Sequence, residues 1–345
     1  MAKTVKDVAA MAGVTPSTVS RVFRASPHVS PGTRERVLEA SRRCGYFPHS
    51  AARAMRAGRF QRIACVLTRY GPIGAAHCNF NGYLDMAADL LGEQGYSVIF
   101  EPFHLTPVTR EVIEAPRLFS ELAVDGILAF DAVGVVPEYV DERIADLHAP
   151  VVWINRTPTV GLPCVNSDET ANARLMVRYL LDLGHRRIGY LGVDEPHYSM
   201  TERFETVVDE LRRAGCDASA LRQGRSDDSV TELARRVLDR QPPFTAVICY
   251  NFRMFHIALQ MAASCGLRVP GDVSLCYFIS PPEIPHFDDC LGTGVVVPER
   301  PMVEKGIDLL MAAMEGRPVS DETARIAGEL FVGRTTSAPA NEGRE

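Results

Sequence analysis

The stretch Thr4-Val-Lys-Asp7-Val-Ala-Ala-Met-Ala12-Gly13-Val-Thr15-Pro16-Ser17-Thr-Val19-Ser20-Arg21-Val22-Phe23-Arg24 reads as two short helices separated by a tight turn. Thr4 stands as a cap with Asp7 as a first-turn acid, a helix follows to about Ala12, and Gly13-Val14 supplies the turn. Thr15-Pro16 restarts the chain as cap and first helical residue, because proline's missing N–H costs nothing where a helix has no acceptor for it. In this second helix, running to about Arg24, Val19, Val22 and Phe23 share an apolar stripe, while Ser17, Ser20, Arg21 and Arg24 share the other side. One face packs and the other is left for a partner. Ser30-Pro31 repeats the cap-and-proline start for a third helix from Thr33 to about Cys44, ended by Gly45. Two helices about a glycine turn, with a third to complete the core, form the helix-turn-helix arrangement whose second helix enters the DNA major groove.

Charge points the same way. The chain has 345 residues and a net charge of −6, yet residues 1 to 62 carry twelve Lys/Arg against three acids, a net +9 that leaves −15 on the rest. A basic module on an acidic body suits a polyanion, since each cation near a phosphate releases condensed counterions. At this length two or more folded bodies are expected, and 46% apolar residues suffice for their cores. The opening residues lack the apolar run of a secretory signal and no segment reaches the length of a membrane span, so a cytoplasmic protein is expected. Nine scattered cysteines without a Cys-x-x-Cys pair read as reduced thiols rather than a disulfide framework or a zinc site. His286-Phe-Asp-Asp289 has no second ligand cluster, so neither metal nor cofactor is expected.

The run Asp7 to Val22, then His28-Val-Ser-Pro-Gly-Thr-Arg34-Glu-Arg-Val, then Gly45-Tyr-Phe-Pro48, resembles the headpiece of the lactose-repressor/galactose-repressor (LacI/GalR) family. The resemblance implies that Pro16, Ser17 and Arg21 read bases while Thr4 and Thr15 touch phosphates. Apart from the family, Arg21 is the side chain suited to a bidentate guanine contact. Residues 1–47 are then the headpiece and 48–60 a hinge helix, too short to persist without a partner, or a plain linker, which the Ala/Arg composition also suits. In the family a leucine of that hinge wedges into a minor-groove base step. Here Met55 takes its place, and His49 replaces the usual asparagine.

From residue 61 on, apolar strand-like runs alternate with helical stretches. The first series is 63–67, 96–100, 126–130 and 151–154, and the second is 187–191, 246–250 and 273–278. Two such series imply two doubly wound parallel-sheet lobes. No Gly-x-Gly-x-x-Gly or Walker lysine follows a strand, so no nucleotide site is indicated. Looser matches (Val165-Asn-Ser-Asp168, Leu183-Gly-His-Arg-Arg-Ile188, Gly266 to Ser274, Phe331 to Thr336) extend the resemblance. They imply a periplasmic-binding-protein-like core crossed three times by the chain, with lobe one at about 62–160 plus 294–320 and lobe two at about 163–290 plus the C-terminal segment.

By the same resemblance a small-molecule effector binds between the lobes of a homodimer and tunes affinity for a near-palindromic DNA operator, as in a repressor. Phe252 stands where the family has an aspartate that grips effector hydroxyls, and Ile279 where a second acid is usual. Asp168, Arg203 and Asn155 remain as polar cleft candidates, with Arg156, Phe130, Trp153 and Tyr250 nearby. If Arg203 lacks an acidic partner it favours a carboxylate or phosphate ligand. If it pairs with Asp168 or another core acid, that attraction is spent. The competing readings are a ligand-independent DNA-binding regulator with a decayed cleft, a solute-binding protein, which has no use for residues 1 to 60, and an enzyme, which would need paired cleft carboxylates.

Overall fold

The computed structural model describes residues 4–23, 26–46, 59–70, 80–105, 112–114, 124–131, 136, 138–146, 149–158, 161–194, 197–219, 221, 223–225, 229–238, 244–280, 292–321 and 323–340. They form two compact units, Met1–Gln61 and Arg62–Glu345.

The first unit is helical: α1 (Val5–Ala12), α2 (Pro16–Phe23) and α3 (Pro31–Cys44). Gly13 ends α1 at φ 64°, in the left-handed region where a side chain would be strained. The third helix starts two residues earlier than its sequence pattern suggests. Pro31 lies inside the first turn, and the Ser30 hydroxyl accepts from the Thr33 N–H at 3.3 Å. Val8, Ala9, Val19, Val22, Val37 and Ala40 form a small core closed by Tyr46. Arg24, His49, Met55 and nearly all of the expected hinge lie outside the described residues.

The second unit opens with β1 (Arg62–Tyr70), α4 (Phe80–Glu93), β2 (Ser97–Leu105), β3 (Val112–Glu114), β4 (Gly126–Asp131), α5 (Glu138–Ala145), β5 (Val151–Ile154) and β6 (Cys164–Ser167). It continues with α6 (Glu169–Asp182), β7 (Ile188–Leu191), β8 (Val193–Asp194), α7 (Tyr198–Arg213), β9 (Gly224–Arg225), α8 (Val230–Val237), β10 (Ala246–Cys249), α9 (Phe252–Ser264) and β11 (Ser274–Ile279). It ends with β12 (Thr293–Val296), α10 (Glu299–Met314), β13 (Thr323–Ile326) and β14 (Glu329–Phe331).

One seven-stranded sheet has the order β13-β6-β5-β4-β1-β2-β3, and a five-stranded sheet has the order β14-β12-β11-β10-β7. Only the edge strands β3 and β14 pair antiparallel within them. The first sheet is covered on both faces, as a parallel sheet requires. Ile63, Cys65 and Leu67 of β1 pack with α4 and α10, while Ala64 and Val66 turn to the opposite face with Trp153, Val140 and Ile144. The second sheet shares a continuous core with α6 to α9 that includes Met176, Val207, Ile248, Phe255 and Leu275.

The chain crosses between sheets three times, after β6, after β12 and after β13. The lobe boundaries differ from those expected. Cys164–Ser167 pairs with β5 and β13 in the first sheet, and Thr293–Val296 pairs with β11 in the second. A buried four-residue strand has the same apolar pattern in either sheet, so only its long-range partners assign it. Helix α10 returns to the first sheet and approaches it closely at Gly306, where an added Cβ would lie 2.7 Å from Ile154 Cδ1. Gly306→Val should therefore lower the unfolding free energy by about 1–3 kcal/mol through overpacking, read in urea denaturation. An unchanged midpoint would show that the α10 contact yields without cost.

Candidate functional site: a reading helix and an interlobe cleft

On α2 the inward stripe is Val19 and Val22, 0% and 3% exposed. Pro16, Ser17 and Arg21 are exposed and Ser20 is half-buried. Thr4 and Thr15, both exposed, serve as caps. The Asp7 carboxylate accepts from the Thr4 N–H at 2.7 Å and from its hydroxyl at 2.9 Å. The Thr15 hydroxyl accepts from the Thr18 N–H at 3.2 Å. Arg34, counted above only as charge, donates from α3 to the carbonyls of Val22 at 3.3 Å and Ser26 at 2.7 Å. A cation is thereby placed on otherwise orphaned carbonyls at the end of α2, which holds the exposed face in place.

In the second unit the cleft is built at the carboxyl ends of the strands, where the loops of a doubly wound sheet converge. Tyr83 and Asn155 line it from the first lobe, and His197, Ser199, Arg203, Tyr250, Asn251 and Phe278 from the second. Among the described residues the cleft is narrow, with a cavity of about 50 Å³.

Arg203 is 6% exposed, and its guanidinium is fully engaged. Nε and Nη2 donate to Glu169 at 2.6 and 2.8 Å, and Nη1 donates to the Tyr250 carbonyl at 3.0 Å. The Tyr250 and Phe278 rings lie 4.8 and 4.0 Å from its central carbon. Burial works against the charge, but the Glu169 carboxylate more than offsets it, so the Arg203 pKa is raised. Of the two readings left open for Arg203, the structure has the one in which it pairs with a core acid, and that acid is Glu169 rather than Asp168. Arg156 is also consumed, 3% exposed, with Nη1 donating to Asp141 at 2.7 Å, its second amino group on the same carboxylate, and its plane over Trp153.

Asp168 caps α6 by accepting from the Ala171 N–H at 2.9 Å, and Asn155 lies in the left-handed region at φ 58°, which asparagine tolerates better than most residues. Phe252 is half-buried against His256 and Tyr277, and Ile279 is 1% exposed in the second-lobe core. The lining instead takes their neighbours Asn251 and Phe278.

Glu169, His197, Ser199 and Asn251 escaped the sequence reading. Asp168-Glu169 at a helix start was a signal for the first, and Asn251 before α9 was a recognisable cap. His197 caps α7, its Nδ1 accepting from the Ser199 N–H at 3.3 Å and contacting the Ser199 hydroxyl at 2.7 Å. Its Nε2 lies 3.3 Å from the Asn155 carbonyl, which can only accept. The neutral Nε2–H tautomer satisfies both sides. Burial lowers the His197 pKa, with Asp131, the Asn155 carbonyl and Glu169 acting in the other direction.

Among the described residues there is no cluster of potential metal ligands, and no helix is long and apolar enough to cross a membrane. His286, set aside above as a metal ligand, lies outside the described residues.

Residues 4–49 match the model of bacterial regulatory proteins, lacI family, and residues 177–336 that of a periplasmic binding protein-like domain. The HTH-type transcriptional regulator CelR of Thermobifida fusca is 30% identical over 283 residues, 79% of this chain and 80% of the relative. A transcriptional regulator CelR–cellobiose complex superposes with a TM-score of 0.64 at 25% identity, covering 96% of this chain and 99% of the other. The lac repressor dimer bound to operator and the anti-inducer ONPF gives a TM-score of 0.75 at 23% identity, covering 98% and 100%.

Because the folded-state pKa of His197 lies below its ordinary value of 6.5, the unfolded chain takes up the proton first as pH falls. Core stability should be complete above about pH 6.5 and decline as pH falls through the folded-state value. Urea midpoints at falling pH should drop less steeply in His197→Gln than in the parent chain, the residual slope reflecting groups such as His185, whose pKa burial also lowers. Parallel slopes would remove His197 from the account.

Proposed function

The chain belongs to the lacI family of bacterial regulatory proteins and is a helix-turn-helix transcriptional regulator, and on that premise we propose that it represses transcription as a homodimer on a near-palindromic DNA operator, under control of a small-molecule effector in the interlobe cleft. The observation that carries the DNA side is the division of α2: Val19 and Val22 inward, Ser17 and Arg21 outward, on a module of net charge +9. Arg21 is assigned a guanine edge, Pro16, Ser17 and Ser20 neighbouring base edges, and Thr4, Thr15 and Arg24 the backbone phosphates. Met55 is assigned the minor-groove wedge. The division of labour is residues 1–47 as reader, 48–60 as hinge and 61–345 as sensor and dimerisation core. The place of action is the cytoplasm.

Effector control draws support from the CelR–cellobiose complex and from the cleft's own chemistry. With Arg203 neutralised by Glu169, the cleft offers little to an anion. Asn155 Oδ1 already accepts from Tyr198 at 3.1 Å and Asn251 Oδ1 from the Met254 N–H at 3.0 Å, so both amides keep their N–H donors for a ligand. Phe278 adds an apolar surface. The effector is therefore neutral and rich in acceptors, held by Asn155, Asn251 and Phe278, while Arg203 and Asp168 shape the site and Phe252 and Ile279 support it from behind. We read a binding role rather than a catalytic one: of the two carboxylates in the described lining, Glu169 and Glu299, the first is committed to Arg203.

Selection of genomic fragments by the full-length protein, followed by footprinting, should yield a short near-palindromic site. Arg21→Ala should lose about 1–3 kcal/mol of discrimination per half-site while keeping a salt-sensitive residual affinity. Binding without sequence preference in the parent chain would refute the assignment. In a thermal-shift panel, neutral polyhydroxylated or heterocyclic compounds should raise the melting temperature and simple carboxylates and phosphates should not. A response to anions alone would overturn the effector class, and no response together with intact operator binding would favour a regulator whose cleft has decayed.

A further inference from the structure

The N-terminal end of α7 belongs to the second lobe, yet its side chains reach the first. His197, its cap, bonds the Asn155 carbonyl at 3.3 Å, and the Tyr198 hydroxyl donates to Asn155 Oδ1 at 3.1 Å. That same hydroxyl accepts from the N–H of Ser167, the last residue of β6, at 3.2 Å. One turn further along, Glu202 receives both terminal nitrogens of Arg325 at 2.7 and 2.8 Å. Arg325 lies on β13, in register with Asn166 at the edge of the first sheet and just before the third crossing of the chain. Tyr198 and Glu202 are four residues apart and so share one face of the helix. Arg203, the next residue, points instead to Glu169. One short segment thus supplies two attachments across the lobes. The inner one is buried and uncharged, and the outer one is a forked ion pair with side chains 35% and 24% exposed.

We propose that the first two turns of α7 form a clasp that holds the two lobes together across the cleft, with the Glu202–Arg325 fork as its releasable half. The clasp sets the free energy that an effector must supply to part the lobes, because a ligand shifts such an equilibrium only by its differential affinity for the two arrangements. A forked Arg–carboxylate pair has the geometry in which a partly exposed ion pair is effective, and its exposure leaves it open to salt. Its consequence for DNA rests on the function proposed above, whereas its effect on the lobes does not.

The test uses the full chain carrying two fluorophores on non-canonical residues at exposed Glu93 in the first lobe and Ala263 in the second, read by single-molecule energy transfer. Glu202→Arg and Arg325→Glu should each raise the open-to-closed ratio about two- to five-fold. The double exchange should restore it, because the fork is rebuilt with its charges reversed. Raising salt from about 50 to about 500 mM should open the parent chain in the same direction. Unchanged distances in the single variants, a double exchange as open as either single, or a parent chain indifferent to salt would each overturn the clasp. If the variants fail to fold, the salt titration of the parent chain decides. Operator affinity, measured alongside, separates the two ideas: an opened population with unaltered DNA binding upholds the clasp and removes the coupling between lobes and headpiece.

Discussion

Burying a guanidinium forfeits hydration worth several kcal/mol unless each donor finds an acceptor and the charge finds a partner. In the second lobe that condition is met by one arrangement: Arg203 of α7 forked onto Glu169 of α6 and bonded to the Tyr250 carbonyl after β10, with Phe278 of β11 against its face. Four elements from separate parts of the chain are thereby tied at the mouth of the sheet. Loss of either charged partner would leave the other buried and uncompensated, a situation that costs about 3–5 kcal/mol in comparable pairs. The pair also decides the electrostatics of the cleft. An attraction that could have been offered to an anionic ligand is used internally, and the rest of the described lining is the Glu299 carboxylate with amide, hydroxyl, imidazole and apolar surface.

The orientation set there propagates along α7. With Arg203 drawn toward Glu169, the preceding turn presents Tyr198 and Glu202 to the first lobe, and the cap residue His197 reaches the Asn155 carbonyl. The left-handed backbone of Asn155 fits this role, because it aims a main-chain acceptor and a side-chain amide at the opposite lobe from one position. A single helix therefore connects the core pair, the cleft lining and the contact between lobes. The headpiece uses a simpler version of the same economy, in which Arg34 holds the end of α2 so that its outward face is presented as a unit.

The headpiece was the most legible part of the chain because its signals are local. Thr15-Pro16, Gly13, Ser30-Pro31 and Gly45 act on their own backbone, and the stripe of Val19 and Val22 is a period that one helix carries alone. The alternation of strands and helices in the core was legible for the same reason. Lobe membership of Cys164–Ser167 and Thr293–Val296 was not, since short buried strands look alike wherever they pair. In the cleft, Asp168 and Asn155 stood out as polar residues beside strands, but Asp168 proved to be a helix cap, and the lining passed from Phe252 and Ile279 to their immediate neighbours. One step along a strand or helix changes the side that a residue faces.

By itself, then, the sequence determined a basic helix-turn-helix module with a defined outward face and a body of two α/β series, because capping, helical period and strand alternation are read within a few residues of where they act. Only the tertiary structure decided that Arg203 faces Glu169, that Arg156 faces Asp141 and that Glu202 faces Arg325. A charged side chain carries no mark of its partner in the sequence. Partners here lie 15 to 123 positions apart, and which acid meets which arginine depends on how two sheets and the crossings between them bring distant segments together.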